Sequence, residues 1–169
     1  MPQGNLKNTK RTKLVRNPAR ADYDRDMVNQ IIDATPLCHV SYIIDGRPYV
    51  TPTLQWREGD TIYWHGSSAS RFLRQIVGKD VCMAITHFDG FVLARSAFHH
   101  SINYRSVMLF GKAIKIEDSE KNALLESFVE NLIPEFWKQK RVYSPYSLKN
   151  AEKHTKPYFN PNSPYSLTL

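Results

Sequence analysis

The chain has 169 residues, 41% of them hydrophobic and 12% aromatic, a composition that predicts one folded domain and argues against disorder. No apolar run is long enough to span a bilayer, and the polar N-terminal residues lack the apolar core of a signal peptide. The two cysteines, Cys38 and Cys82, stand in apolar runs without metal-ligand spacing, so we expect reduced thiols in a cytoplasmic protein.

The net charge of +7 is concentrated at the N-terminus. Residues 1–20 contain six of the 23 basic residues and none of the 16 acidic ones, which leaves 17 bases against 16 acids in the remainder. A basic arm of this kind binds an anionic surface, packs on a partner subunit or stays solvated. Residues 1–22 hold no aromatic side chain that could stack on bases, so we expect no nucleic-acid partner.

The first predicted elements are a helix and a β-hairpin. Asp22 or Asp24 can cap a helix over about 24–34. Two strands follow, joined by an Asp-Gly pair at 45–46 that favours a hairpin. The apolar stripe expected on this helix is Met27, Val28, Ile31 and Ile32, and the two strands are Leu37–Ile44 and Pro48–Trp56.

A polar turn follows the third predicted strand, Thr61–Trp64. Residues 63–71 read Tyr-Trp-His-Gly-Ser-Ser-Ala-Ser-Arg and lead into a helix over about 69–77. A helix start presents free backbone N–H groups and a positive dipole end, to which this sequence adds three hydroxyls and one fixed charge. The turn can therefore hold a phosphate without a Walker-type glycine loop. The alternative interpretation is an ordinary serine N-cap.

The remaining pattern predicts more strands, one more helix and a different tail. Six strands with tight turns and peripheral helices indicate a small antiparallel barrel, mainly β. Three prolines in the tail, at 157, 161 and 164, exclude a helix or an interior strand there. We therefore divide the chain into a basic arm (1–21), a folded domain (22–154) and an extended or disordered tail (155–169). The later elements are a hairpin of Val81–Phe88 and Phe91–Arg95 about Asp89-Gly90, the strand Ser106–Ile116, and a helix over about 119–132 capped by Asp118 with Ala123, Leu124, Phe128, Val129 and Leu132 facing inward.

Residues 95–106 form a second polar constellation, between two predicted strands. The connection is longer than a hairpin needs, and such loops often carry sites. Adjacent His99 and His100 point to opposite sides of an extended chain and cannot chelate one metal together. The sequence has neither an i,i+4 histidine pair nor a Cys-x-x-Cys motif, so we expect no metal site. His39 and His87, which lie in strands, are interpreted as satisfied barrel positions.

The two constellations and their order resemble the flavin-nucleotide-binding split-barrel superfamily related to pyridoxamine 5′-phosphate oxidase, in its nitroimidazole-resistance-like branch. The resemblance covers about residues 16–150 and rests above all on the strings at 63–71, 89–95 and 99–107. It implies a six-stranded antiparallel split β-barrel of the FMN-binding type. It also implies a homodimer with FMN at the interface.

The resemblance assigns residues to the cofactor. Ser70 and Arg71 match the serine and the basic residue that hold the FMN phosphate in such proteins, and Arg105 matches the motif arginine of the long strand. Ser106 stands where oxidase relatives carry a glutamine. The full set of cofactor-binding residues expected is Thr51, Pro52, Thr53, His65, Ser67, Ser68, Ser70, Arg71, Asn103, Tyr104, Arg105 and Ser106.

A flavin supplies redox chemistry, whereas the protein binds and orients it. The resemblance therefore implies an FMN-dependent oxidoreductase that reduces a small aromatic or nitro substrate, with no residue marked for covalent catalysis. The C-terminal substrate-binding Arg/His pattern of the oxidase is not recognisable, so pyridoxamine phosphate is not the expected substrate. Two alternatives stay open. One is a flavin- or haem-binding protein without turnover, with His65, His99 or His100 as axial ligand, and the other is a non-catalytic binding protein that uses the basic arm.

Overall fold

The structure is a computed structural model that describes residues 4–67, 70–133 and 164–168. Two single turns of 3₁₀ helix, Pro18–Arg20 and Ala97–His99, accompany the regular elements. The helices are α1 (Arg25–Asp33), α2 (Arg71–Ile76) and α3 (Lys121–Leu132). The strands are β1 (Leu37–Ile44), β2 (Arg47–Glu58), β3 (Thr61–His65), β4 (Asp80–Val92), β5 (Ser101–Lys112), β6 (Ile114–Lys115) and β7 (Pro164–Thr168).

The strands form one sheet in the order β5-β4-β1-β2-β3-β7-β6. Pairing is antiparallel between β1 and both β2 and β4, between β2 and β3, and between β7 and both β3 and β6. The predicted mainly β, antiparallel architecture with few helices is confirmed. The described residues contain seven strands instead of the six expected. The predicted strands 81–88 and 91–95 merge into β4, the longest predicted strand divides into β5 and β6, and the tail adds β7.

The chain divides into two compact units. The first unit comprises Met1–Thr35 and Ile85–Met108, and the second comprises Pro36–Ala84 and Leu109–Leu169. Strands β4 and β5 each run from one unit into the other along the chain. The proposed domain limits at 21/22 and 154/155 stay predictions.

The second unit is built on the β1–β2 hairpin. Ile44 pairs with Arg47 across Asp45-Gly46, and both turn residues have positive φ (51° and 73°), which is the backbone of the predicted two-residue turn. Alternate residues of β1 are buried, as expected for a strand with one face on a core. Among the described residues of this unit, the largest fully buried side chains are Cys38, Val40, Ile62, Trp64, Leu73, Ile76 and Met83.

The first unit is anchored by α1. The Asp24 carboxylate accepts a hydrogen bond from the Met27 backbone N–H at 2.9 Å, so the predicted N-cap is confirmed. Of the predicted stripe, Val28, Ile31 and Ile32 are buried, whereas Met27 is 40% exposed. On β4, the Nε2–H group of His87 donates to the Ile31 carbonyl at 2.9 Å, which agrees with the interpretation of this histidine as a satisfied residue.

The basic arm folds back on the start of α1. The Tyr23 hydroxyl donates to the Thr12 carbonyl at 2.9 Å and accepts from the Leu14 N–H at 3.2 Å. The Leu6 N–H donates to the Tyr23 carbonyl at 2.8 Å. Residues 6–14 are thus held by hydrogen bonds to one tyrosine, and the six Lys and Arg side chains of the arm are exposed.

The predicted hairpin about Asp89-Gly90 is wrong. Strand β4 runs without interruption from Asp80 to Val92, and Gly90 has a φ of 146°, an extended backbone open to glycine alone among the residue types. The carboxylate of Asp89 is engaged by Arg105 on the neighbouring strand β5. An Asp-Gly pair makes a turn only when the flanking strands pair with each other, and here β4 pairs with β5 instead.

The start of α3 also differs from the sequence prediction. Its N-cap is Glu120, which makes no side-chain capping bond within the described part of the chain. Asp118 instead pairs with the ammonium group of Lys121, whose side chain is buried. This pairing lowers the pKa of Asp118. Of the five residues predicted to face inward, Phe128 is buried, Leu124 and Val129 are half-buried, and Ala123 and Leu132 are exposed.

The expectation that the tail cannot form an interior strand is wrong for Pro164–Thr168. This segment is β7, which pairs with β3 on one side and β6 on the other. Pro164 is the first residue of the strand, opposite His65, and a first position tolerates a residue without an N–H group. The other two prolines, at 157 and 161, lie outside the described residues.

Candidate functional site

The polar turn between β3 and α2 packs tightly on the helix that follows it. A Cβ atom at Gly66 would lie 2.8 Å from Cδ1 of Leu73, and Leu73 is 1% exposed, so this position requires glycine. The Ser70 N–H donates to the Ser67 carbonyl at 2.8 Å. The turn is therefore closed by its own backbone and by the buried face of α2.

Ser70 occupies the N-cap position of α2, yet its hydroxyl makes no capping bond to the helix within the described residues. The Ser70 side chain is half-buried, and Ser67 is exposed. Ser68 lies outside the described residues. The N-cap interpretation accounts for the position of Ser70 in the chain but not for the use of its hydroxyl.

The hydroxyls of two threonines of β2 contact residues that adjoin either this turn or α2. Thr51 and Thr53 are two residues apart on one strand and so share a face of the sheet. The Thr53 hydroxyl donates to the His65 carbonyl at 3.1 Å. The Thr51 hydroxyl lies 2.9 Å from the hydroxyl of Tyr42, whose ring contacts Phe72 of α2 with 4.4 Å between centroids.

His65 ends β3 with its ring turned into an aromatic group. Its centroid lies 4.8 Å from that of Phe128 and 6.5 Å from that of Trp56. Burial lowers the pKa of this imidazole, because a charged ring loses its hydration there. The His65 ring is therefore neutral near pH 7. The contact between His65 and Thr53 involves the backbone carbonyl of His65 and not its ring.

Arg71, the first residue of α2, is held by the β1–β2 turn. Its Nη2 lies 3.0 Å from Oδ2 of Asp45. The two side chains are 63% and 79% exposed, so solvent screens the pair and each partner remains open to other ligands. This arrangement places an exposed cation on the residue that follows Ser70 in the chain, with its guanidinium group at the β1–β2 turn.

The other predicted site residues lie on β5, in the first unit. Asn103, Tyr104, Arg105 and Ser106 are all exposed. Residues 101–106, expected to be part of a loop, belong to the strand itself, which begins at Ser101. Successive side chains on a strand point to opposite faces, so Asn103 and Arg105 share one face, and Tyr104 and Ser106 share the other.

Arg105 makes a bidentate ion pair with Asp89 on β4. The Nη2–Oδ1 and Nε–Oδ2 distances are 2.8 and 3.0 Å. The hydrogen bonds from Arg105 lower the pKa of Asp89, and the carboxylate in turn raises the pKa of Arg105. This geometry fixes the plane of the guanidinium group, as two parallel contacts do in an Arg–carboxylate fork.

His99 is the last residue of a short 3₁₀ turn, Ala97–His99, and His100 follows it. The Ala94 N–H donates to Nδ1 of His100 at 3.1 Å. A neutral ring that accepts at Nδ1 carries its proton at Nε2. His100 in this state cannot offer Nε2 to a metal or to haem iron, whereas His99 has no such bond among the described contacts.

The structure thus gathers Thr51, Thr53, His65, Ser70 and Arg71 in the second unit, and places Asn103, Tyr104, Arg105 and Ser106 together in the first. Pro52 is exposed on the opposite face of β2. Sequence reasoning missed three residues that hold predicted ones: Tyr42, Asp45 and Asp89. Both aspartates were interpreted only as turn residues, and no local pattern marks an ion pair between residues 16 or 26 positions apart.

Among the residues the structure describes, no group of three or more His, Cys, Asp or Glu could hold a metal ion. Within the same ranges, no helix has the length and apolar character needed to cross a membrane.

The antiparallel sheet with peripheral helices, and the polar turn before a short helix, agree with the split-barrel class of flavin-binding folds that the sequence predicts. The chain belongs to the pyridoxamine 5′-phosphate oxidase family, whose model matches residues 24–158. This match confirms the predicted superfamily and fold. A search among curated proteins finds no match to this chain.

Solved structures agree with the family assignment. The flavocytochrome Anf3 from Azotobacter vinelandii is 39% identical, with a TM-score of 0.77 over 95% of this chain and 71% of that one. The FAD and haem binding protein from Mycobacterium smegmatis is 30% identical, with a TM-score of 0.67 over 86% of this chain. This chain spans 65% of that protein, a little less than two thirds of its length.

A third structure comes from the predicted branch. A proposed 5-nitroimidazole antibiotic resistance protein from Bacteroides thetaiotaomicron is 20% identical, with a TM-score of 0.60 over 87% of this chain and 80% of that one. At this identity the likeness concerns the fold.

Proposed function

We propose that the protein is an FMN-binding oxidoreductase that reduces a small aromatic or nitro substrate. The observation that supports the proposal is a turn with an unused Ser70 hydroxyl and an exposed Arg71 at the start of α2, beside the Thr53 contact with His65, in a chain of a flavin-binding family. A phosphomonoester needs hydroxyl or N–H donors and a cation. Ser70 and Arg71 supply both, and their side chains remain accessible.

The residues present fit a flavin nucleotide in two groups. Around the turn, Ser67, Ser68, Ser70 and Arg71 would hold the phosphate, and Thr51 and Thr53 would lie beside the sugar chain or ring edge. On β5, Asn103 and Arg105 would face the ring. When bound, flavin supplies hydride and electron transfer, whereas these side chains bind it, orient it and place a positive charge near it.

We further propose a homodimer with the cofactor at the interface. The first unit exposes several large apolar side chains, an arrangement that marks interaction surfaces in soluble proteins. Reduced thiols at Cys38 and Cys82 support a cytoplasmic location. The most exposed members of this group between residues 85 and 108 are Phe91 (74%), Leu93 (81%) and Phe98 (96%).

An absorption spectrum of the purified protein, before and after incubation with FMN, tests this proposal. Flavin bands that stay with the protein through gel filtration are expected. An electron donor should bleach those bands. Their return when a nitroaromatic substrate is then added would support turnover. A colourless protein that takes up no flavin would contradict the proposal.

The second candidate is a flavin- or haem-binding protein without turnover. Of the solved relatives at 30% identity or more, one is a flavocytochrome and another is an FAD and haem binding protein. In this chain His99 suits an axial ligand better than His100, because the Ala94 N–H occupies Nδ1 of His100 and a ligating histidine normally donates from that nitrogen. A Soret band that disappears in His99→Ala and persists in His100→Ala would favour this function.

A further inference from the structure

The pair of Asp89 and Arg105 is the best-defined ion pair of the first unit. Three N–O distances between 2.8 and 3.3 Å join the guanidinium to the two carboxylate oxygens. The side chain of Asp89 is 33% exposed and that of Arg105 is 51% exposed. The two residues lie on neighbouring strands, β4 and β5, so the sheet itself fixes their separation.

This pair alters the charge that Arg105 can offer to a ligand. An isolated guanidinium would favour a neighbouring anion over a neutral group of the same shape. A carboxylate bound in bidentate fashion cancels much of that field at a distance and at the same time holds the guanidinium in one plane. The potential near Arg105 is therefore set by two residues and not by the arginine alone.

We propose that Asp89 is a positioning residue for the flavin: its carboxylate orients Arg105 and partly neutralises it, and so limits how strongly the reduced cofactor is favoured over the oxidised one. This inference rests on the proposed function. A flavin gains negative charge on reduction near neutral pH, so a cation near the ring raises its reduction potential and an anion behind that cation lowers it.

The chain provides a matched control. Asp80 and Lys112 form a second ion pair between β4 and β5, with one contact of 3.1 Å and side chains that are 72% and 63% exposed. Asp80→Asn removes the same charge from the same strand as Asp89→Asn. It touches none of the residues proposed to bind the cofactor.

The test is the midpoint potential of FMN bound to the full-length protein, measured by equilibration with redox dyes at pH 7. Asp89→Asn keeps one oxygen acceptor for Arg105 and removes the charge. We expect it to raise the preference for reduced over oxidised flavin roughly tenfold, which is about 30 mV for a two-electron couple. Asp89→Glu should stay close to the unmodified protein, and Asp80→Asn should not differ from it.

Arg105→Ala should move the potential in the opposite direction. In the Arg105→Ala background, the effect of Asp89→Asn should differ from its effect in the unmodified protein, because the orienting action on the arginine is lost and only the direct field of the carboxylate remains. Bound flavin whose potential is the same in Asp89→Asn as in the unmodified protein would overturn the inference and leave the proposed function standing. A change in melting temperature without a change in potential would do the same. An unmodified protein that binds no flavin would overturn both.

Discussion

Replacement of Arg71 by alanine separates recognition of the phosphate from recognition of the ring. Riboflavin has the same ring and sugar chain as FMN but no phosphate. If Arg71 binds the phosphate, the variant should lose about 1.5–3 kcal/mol of binding free energy for FMN, which is the range for hydrogen bonds to charged groups. That corresponds to a roughly ten- to hundredfold increase in Kd, with the Kd for riboflavin almost unchanged.

The fold should tolerate this change. The ion pair with Asp45 is 63% and 79% exposed, and exposed pairs contribute about 0–1 kcal/mol. Ser70→Ala should weaken FMN by a smaller factor, because a neutral hydroxyl contact contributes about 0.5–1.5 kcal/mol. The loss of binding can therefore be measured on folded protein.

Two other variants make the result specific. Arg74→Ala removes an exposed cation from the same helix and should change the Kd for FMN far less than Arg71→Ala. Asp45→Asn removes the competing carboxylate and should tighten FMN a few-fold without affecting riboflavin. Fluorescence titration of each variant with FMN and with riboflavin measures these Kd values. Equal losses for FMN and riboflavin in Arg71→Ala would refute the assignment of this arginine to the phosphate.

Three further predictions concern assembly, the tail and pH. Light scattering at micromolar concentration with FMN bound should give the mass of a dimer, and a monomer mass would contradict the interface proposed for the cofactor. Deletion of 164–169 should remove β7 from between β3 and β6 and lower Tm by about 4–8 °C, if the lost pairing contributes about 2 kcal/mol; an unchanged Tm would show that the pairing is not stabilising. Burial lowers the pKa of His65, so the unfolded chain binds this proton more readily and the free energy of unfolding should fall as the pH drops below about 6.5. His65→Phe should show a smaller fall in Tm between pH 7.5 and 5.5, and identical pH profiles would count against that role.

The sequence predicted those elements whose signals are local. The Asp-Gly turn at 45–46, the cap at Asp24 and the alternation along β1 each depend on residues within one or two turns of chain, and each appears in the structure. The pairing of β1 with β2 and of β2 with β3 also joins strands that are consecutive in the chain. These features can be predicted because backbone preference and hydrophobic period agree there.

The errors arise where a distant residue decides the outcome. Asp89-Gly90 has the composition of a turn, but pairing with β5 and the contact with Arg105 keep the backbone extended. Pro164 lacks an N–H group, but as the first residue of β7 it does not need one. Aspartate is a common N-cap residue, but the carboxylate of Asp118 forms an ion pair with the buried Lys121. In each case the prediction followed the preference of the residue type, and a pairing partner decided a different outcome.

The same reasoning distinguishes the two arginines assigned to the cofactor. Each is already paired with an aspartate, so an arriving anion must either replace the carboxylate or accept its presence. At Arg71 the carboxylate makes one exposed contact, and a phosphate with two charges and three acceptor oxygens can replace it at little cost. At Arg105 the carboxylate makes a bidentate contact fixed by two neighbouring strands, and a ring that carries at most one charge does not replace it. Under the proposed function, Arg71 is therefore suited to hold the phosphate by exchange of partners, in a manner that added salt weakens, whereas Arg105 would keep its aspartate and act on the ring as one half of a pair.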